Sequence, residues 1–484
     1  MDSTITIPFW LFILITVFAA VMVLDRFLMP GMRWYFRRRV NRVIDEINTR
    51  LDVEIRPVQI TQRKALIDRL VFDEKVLDAV KQTAQDQGMP TSVAQDRARK
   101  FAHEIVPAFN AYMYFRIGYW TAKRLARLIY RMRVGFFDNN ELSKVDPESA
   151  VVFVMNHRSN MDYVLVSFLV AEKTALSYAV GEWARIWPLQ TLIRSMGAFF
   201  VRRNSGDRLY RRVLERYVNM ATRAGVCQAV FPEGGLSKDG ALRAPRLGFL
   251  DYMLRDYHSD TDRDITFIPV GINYDRVLED RSLVRKLDAS AAKRSSWFVV
   301  RTTVRFATKT LLLSRKKRLR RFGYASVNFG NPVSARAYCA QNNMEFIHLE
   351  QEARFEQIAK LARVLMTEVR EAIPITPVAL MSEIVLANRN AWRSELELKA
   401  QALKRMEVLK KRGAPIRISS NTTESVLSGA LDIIEGRGWL EVEDNLLKAA
   451  EDAVVMLEYY ANSIAHWQQP ESSPMNEPSL DTAR

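Results

Sequence analysis

Between residues 151 and 329 the sequence alternates short β-branched and aromatic runs with stretches of helical periodicity, and that alternation is the strongest constraint on what the chain can fold into. The apolar runs are Val151–Met155, Leu176–Val180, Ala198–Val201, Val226–Phe231, Ile265–Ile272 and Ala325–Phe329. Between the third and fourth, residues 207–224 place Leu209, Val213, Leu214, Tyr217 and Val218 on one face. Arg208, Arg211, Arg212 and Arg216 fall largely on the other, and Gly225 offers a stop. Strand-length runs separated by amphipathic helices predict an α/β fold with a mixed, mostly parallel sheet flanked by helices.

The flanks read differently. After residue 335 helical patterns take over as far as Trp467, with a break around Arg412-Gly-Ala-Pro415. Residues 468–484 carry Pro470, Pro474 and Pro478 with few large apolar groups, the composition of a disordered tail. Ahead of the sheet, residues 40–100 have a helical rhythm, and residues 112–137 combine Tyr, Trp, Ile and Leu with Lys123, Arg124, Arg127, Arg131 and Arg133. The second stretch reads as a basic amphipathic helix, lying either at a headgroup surface or against the next domain. Residues 7–24 are apolar except for Thr16, close to the roughly 20 residues needed to cross a bilayer. Asp2 precedes the run and Arg33, Arg37, Arg38, Arg39 and Arg42 follow it, the flanks of an N-terminal transmembrane anchor and not of a cleaved signal peptide. The arginine cluster orients the rest of the chain to the cytoplasm, so the expected location is the cytoplasmic membrane. The resulting plan is an anchor over 1–30, a helical basic region over 31–140, a catalytic domain over 141–335, a helical region over 336–467 and a tail over 468–484.

Composition narrows the partners. With 71 basic against 55 acidic residues the net charge is +16, which favours anionic partners such as phospholipid headgroups, phosphorylated metabolites, acidic proteins or nucleic acid. Cys227 and Cys339 lie in no CxxC or Cys/His array, so neither a disulfide framework nor a structural zinc site is indicated.

The chemistry-bearing residues follow the strands. Directly after the first run, Asn156-His-Arg-Ser-Asn-Met-Asp162 sets a histidine and a carboxylate five positions apart. If a turn lets Asp162 hold one imidazole nitrogen of His157, the other is free to act as a base toward a substrate hydroxyl. Ser159 is either a nucleophile or a helix cap. Taken alone, the spacing is equally consistent with a hydrogen-bonded turn. Gly197-Ala-Phe-Phe-Val-Arg-Arg203 ends a strand in paired guanidinium groups, suited to a phosphate monoester or to a solvated strand end. Phe231-Pro-Glu-Gly-Gly235 ends another with Glu233 on a glycine-rich turn, followed by Ser237, Lys238 and Gly240. Glu233 can hold polyol hydroxyls, cap a helix or pair with a cation, and Lys238 adds charge for a phosphate.

In that order the motifs, together with Phe267-Ile-Pro-Val-Gly-Ile-Asn-Tyr274, make the stretch from Val151 to about Pro332 resemble the glycerophospholipid acyltransferases. The strings His157–Tyr163, Gly197–Arg203, Val327–Pro332 and Ile375–Leu380 resemble the glycerol-3-phosphate acyltransferase branch more than the lysophosphatidate branch. The resemblance implies acyl transfer from acyl-CoA or an acyl carrier protein to glycerol 3-phosphate without a cofactor. His157 would be the general base and Asp162 its orienting partner. Arg158, Ser159, Arg202, Arg203, Glu233 and Lys238 would contact substrate, with Gly234 and Gly235 shaping the turn. Leu236 departs from the branch, which usually has a basic residue there, and leaves Lys238 as the nearby cation. Lysophosphatidate and dihydroxyacetone phosphate are the rival acceptors. A rival of another class, a membrane-tethered nucleic-acid-binding protein, rests on the charge and on Arg315-Lys-Lys-Arg-Leu-Arg-Arg321. No nucleic-acid motif accompanies that run, so an anionic phospholipid membrane is the expected partner instead.

Overall fold

The computed structural model describes residues 63–109, 118–136, 145–170, 176–180, 189–202, 205–287, 321–416 and 422–468, with residues 16, 114, 314 and 418 besides. The expected anchor, apart from Thr16, and nearly all of the expected tail lie outside the described residues, as does Arg315–Arg321 apart from Arg321. Among the described residues no helix is long and apolar enough to cross a membrane.

Three helices come first, α1 (Arg63–Val71), α2 (Glu74–Asp86) and α3 (Thr91–Ile105). Helix α4 (Tyr119–Ile129) then runs into strand β1 (Arg131–Phe136). The basic stretch expected as one helix over 112–137 is therefore a helix followed by a strand. Arg131-Met-Arg-Val-Gly-Phe136 alternates polar and apolar side chains with period two, which a half-exposed strand accommodates better than another helical turn.

The central elements are β2 (Ala150–Met155), α5 (Met161–Val170), β3 (Ser177–Val180), α6 (Leu189–Ser195), β4 (Ala198–Phe200), α7 (Arg208–Arg223), β5 (Gln228–Val230), α8 (Gly248–Leu254) and β6 (Ile265–Tyr274). They are followed by α9 (Asp280–Val284), β7 (Tyr324–Phe329), β8 (Val333–Ser334), α10 (Ala335–Gln341), α11 (Gln351–Ala372) and α12 (Pro377–Ala387). The described chain closes with β9 (Arg393–Ser394), α13 (Glu395–Lys411), α14 (Thr423–Glu435), β10 (Leu440–Glu443), β11 (Leu446–Ala449) and α15 (Val454–Ala461).

The main sheet has the order β1-β7-β6-β2-β5-β3-β4, with β8 pairing beside β6. Neighbours run parallel from β6 through β2, β5 and β3 to β4, and β1 is parallel to β7. Only β7 and β8 are antiparallel to β6, so the sheet is mixed and mostly parallel as expected. The region after residue 335 is not wholly helical, because β10, β11 and β9 form a small antiparallel sheet. Its hairpin turns at Asp444 and Asn445, both with positive φ (46° and 62°), the pairing that a tight two-residue hairpin turn favours.

Alternate residues of β2 serve two cores. Val151, Phe153 and Met155 join a cluster built with α5 and α12 to α15. Ala150, Val152 and Val154 face a second cluster built with α1, α2, α3, α7, α8, α10 and α11. Both flanking regions thus cover the sheet, as the buried two-faced strands of a parallel sheet require. The approach is closest at Gly271 of β6, where a Cβ would lie 2.2 Å from the backbone carbonyl carbon of Ala372 at the end of α11.

Candidate active site

The site starts where β2 ends. Asn156 is buried and clips the strand end to β6, donating through Nδ2 to the Ile272 carbonyl (2.9 Å) and accepting from the Ile272 N–H (2.8 Å). His157 therefore leaves the sheet at a fixed point. Asp162 lies in the first turn of α5, and the turn between them solves the angular mismatch that five helical positions would impose. Its Oδ2 is 2.9 Å from His157 Nδ1 and accepts the backbone N–H groups of Arg158 (2.7 Å) and Ser159 (3.0 Å). Its Oδ1 accepts the Tyr274 hydroxyl at 2.6 Å. Burial, with Asp162 beside it, holds the Tyr274 phenol well above its ordinary range, so it stays a donor.

His157 is 3 % exposed and Asp162 0 %. The imidazole packs against Phe231 (centroids 4.0 Å apart) and the edge of Tyr163 (5.4 Å). With Nδ1 donating to Asp162, the lone pair sits on Nε2, which has no hydrogen bond among the described residues. That is the arrangement of an oriented general base.

The other expected residues divide. Glu233 reaches the dyad, but through backbone: Oε1 accepts the His157 N–H (2.7 Å) and Oε2 the Arg243 N–H (3.1 Å). Burial pushes its carboxyl up to about 8, against the pull of those two amides and of Arg158 and Arg243. The Ser237 N–H returns to the His157 carbonyl (3.0 Å), so the glycine-rich turn and the histidine loop form one unit. Gly234 takes φ 66°, and a Cβ there would meet Arg246 Cδ at 2.6 Å. Gly235 follows it in the turn, and Lys238 is exposed, with no partner among the described residues. The Ser159 hydroxyl is engaged as a cap would be: its Oγ accepts the Met161 N–H (3.1 Å) and donates to Glu279 Oε2 (2.7 Å). Arg158 is buried over the Tyr459 ring (4.6 Å) and donates from Nη1 to the Gly240 carbonyl, while its Nε and Nη2 have no partner among the described residues.

Arg202 is not brought to the dyad. Its guanidinium makes paired bonds to Glu104 of α3 (2.9 and 2.6 Å) and lies over Phe101 and Tyr210, which belong to the core on the other face of the sheet. Arg203 lies outside the described residues. Among the described residues no group of His, Cys, Asp and Glu side chains could hold a metal ion. Asn156, Tyr274 and Glu279 are the site residues that sequence reasoning missed. Tyr274 was inside a quoted motif, but no spacing rule relates it to Asp162 across β6.

Residues 137–273, which contain the dyad and Glu233, match the Acyltransferase family model, and residues 308–473 match the model of the glycerol-3-phosphate acyltransferase C-terminal region. Curated relatives named glycerol-3-phosphate acyltransferase include those of Aeromonas hydrophila (28% identical over 422 residues, 84% of this chain and 50% of the relative) and Alteromonas mediterranea (27% over 424 residues, 83% and 50%). The one from Haemophilus influenzae is 24% identical over 424 residues, again 84% of this chain and 50% of the relative. The chain thus resembles the glycerophospholipid acyltransferases, its two matched segments being those of the acyltransferase domain and of the glycerol-3-phosphate acyltransferase C-terminal region.

The chain spans about half the length of the curated relatives it matches. A solved 1-acyl-sn-glycerophosphate acyltransferase from Thermotoga maritima matches over 53% of this chain and 78% of its own, at 16% identity and a TM-score of 0.29, a likeness too slight to inform the fold. The family's matched segments meet in space: Tyr459 of the C-terminal match lies under Arg158 of the first.

Proposed function

We propose that this acyltransferase is a glycerol-3-phosphate 1-O-acyltransferase, moving a fatty acyl group from acyl-CoA or an acyl carrier protein to the sn-1 hydroxyl and giving lysophosphatidate. The observation that carries the reading is the buried dyad, with Asp162 held by four donors and Nε2 of His157 left over. In the proposed reaction Nε2 takes the hydroxyl proton as the oxygen attacks the thioester carbonyl. The new C–O bond forms, the tetrahedral intermediate collapses with cleavage of C–S, and the imidazolium returns the proton to the departing thiolate. Asp162 stabilises the imidazolium between the two transfers.

Glu233 acts in this scheme by holding the His157 backbone. The phosphate falls to Lys238 and Arg203, with Arg202 available only if it releases Glu104. In this reading residues 7–24 act as the membrane anchor, the arginine cluster after them favours the cytoplasmic side, and the exposed Trp120 with Lys123, Arg124 and Arg127 offers α4 a face toward an anionic bilayer. Presenting glycerol 3-phosphate, lysophosphatidate and dihydroxyacetone phosphate in parallel with one acyl thioester tests the acceptor. The proposal expects glycerol 3-phosphate to give the highest kcat/KM, and acylation of lysophosphatidate alone would move the assignment to that branch.

A further inference from the structure

We propose that the C-terminal region sets the geometry of the catalytic turn, with Glu279 as the positioning residue through which it acts. The inference rests on the reading of His157 as a general base. Glu279 is partly buried at the start of α9, and its withdrawal from water raises its carboxyl above the ordinary range. Its Oε2 accepts the Ser159 hydroxyl (2.7 Å), and its Oε1 accepts the Asn160 side-chain amide (3.0 Å) and backbone N–H (3.3 Å). Ser159 and Asn160 are the turn that joins His157 to Asp162, so a shift of Glu279 is a shift of the dyad.

The adjacent Asp280 is fixed from the C-terminal region. Its Oδ2 accepts from Arg437 Nη1 (2.6 Å), in the link between α14 and β10, and from the Tyr460 hydroxyl of α15 (2.6 Å). Both side chains of the Arg437–Asp280 pair are 5% exposed, and the Arg437 guanidinium is seated over Trp439 at 4.0 Å. The Tyr460 oxygen also accepts the Val277 N–H (2.9 Å), pinning the segment that leads from β6 to Glu279. Helix α15 bears on the other side of the turn as well. The Tyr459 carbonyl lies so close to Gly240 that a Cβ there would come within 1.8 Å, and Asn462 Nδ2 donates to the Asp239 carbonyl (3.0 Å). These residues continue the loop whose Ser237 holds the His157 carbonyl. Apolar packing alone would attach a helix without fixing direction, whereas a buried run of ion pair and hydrogen bonds tolerates little displacement.

The test uses the full chain and the variants Tyr460→Phe, Arg437→Gln, Arg437→Lys and Glu279→Gln. Steady-state acyl transfer is read beside proton NMR of the hydrogen between His157 Nδ1 and Asp162, a tractable assignment with five histidines. Tyr460→Phe and Arg437→Gln should lower kcat about tenfold to a hundredfold, with KM for glycerol 3-phosphate within about twofold, and should shift or broaden that resonance. Arg437→Lys should recover part of both losses, and Glu279→Gln should reproduce the shift. If Arg437→Gln fails to fold, Tyr460→Phe decides, since it removes one oxygen from a packed ring. Folded variants with wild-type kcat and an unmoved resonance would overturn the proposal. If the resonance moves but the wild-type protein acylates no glycerol 3-phosphate, the positioning stands and the acyltransferase reading fails.

Discussion

The two faces of the sheet contrast in how they treat polar groups. On the face shared with α12 to α15, the buried Asp162, Glu233, Asp275 and Asp280 and the partly buried Glu279 are held by directional bonds from several elements. On the face shared with α1 to α3, the ionic contacts run between elements: Arg202 with Glu104 and Arg97 with Asp207 are partly exposed pairs, while the buried Asp251 pairs with Arg255 and Arg354 and the buried Glu215 with Arg255. Buried, fully bonded polar groups constrain geometry strongly, and partly exposed pairs contribute little. The first face gathers its directional bonds around the His157–Asp162 pair, and the second uses its ion pairs to hold helices together.

Asp162→Asn should have the largest effect, because the amide no longer enforces the tautomer with a free Nε2. A fall of about 10³- to 10⁴-fold in kcat in a variant that still folds is expected, as for the third member of a triad. Next, Tyr274→Phe leaves Asp162 Oδ1 buried with an empty acceptor position, which costs about 1–3 kcal/mol in chemical denaturation. Wild-type stability and activity in that variant would remove Tyr274 from the site.

The pH response sharpens the contrast. Burial moves Glu233 from 4.5 to about 8 and Asp275 from 3.8 to about 6, so the folded protein retains protons that the unfolded chain has already released. Their contribution is complete below the unfolded values and is lost as pH rises through the folded ones. Denaturation midpoints should therefore decline as pH rises from about 4 to about 8, and Glu233→Gln should flatten the upper part of that decline from a lower plateau, since one amide loses its acceptor. A midpoint rising over that range would count against the burial argument. The smallest effect belongs to the other face. Glu104→Ala should change stability by about 0–1 kcal/mol, because Arg202 keeps access to water. A loss several times larger would show this partly exposed pair to be as constrained as the buried ones.

Much of the fold was legible because strands and helices differ in period. Each apolar run between residues 151 and 329 became a strand, and residues 208–223 became the helix that the Arg/Leu segregation requires. Strand β1 was hidden because a short basic alternation following a helix looks like its continuation. The Asp444-Asn445 hairpin was hidden among charged residues, where a polar turn carries little contrast. At the site, His157 and Asp162 could be found because their partnership is local in sequence. Tyr274, Glu279 and Arg437 could not, because they act across strand order and across the C-terminal region, and pairing of that kind is invisible to spacing. Arg202 went the other way, since the guanidinium geometry that suits a phosphate suits the carboxylate of Glu104 equally well.

The most direct test of the central claim is transfer of a labelled acyl group from a thioester to glycerol 3-phosphate, measured side by side for the purified wild-type chain and His157→Ala. The account expects labelled lysophosphatidate from the first and a rate lower by about 10²- to 10⁴-fold or more from the second, with both proteins folded. Equal rates in the two, or no lysophosphatidate from the wild type, would contradict it.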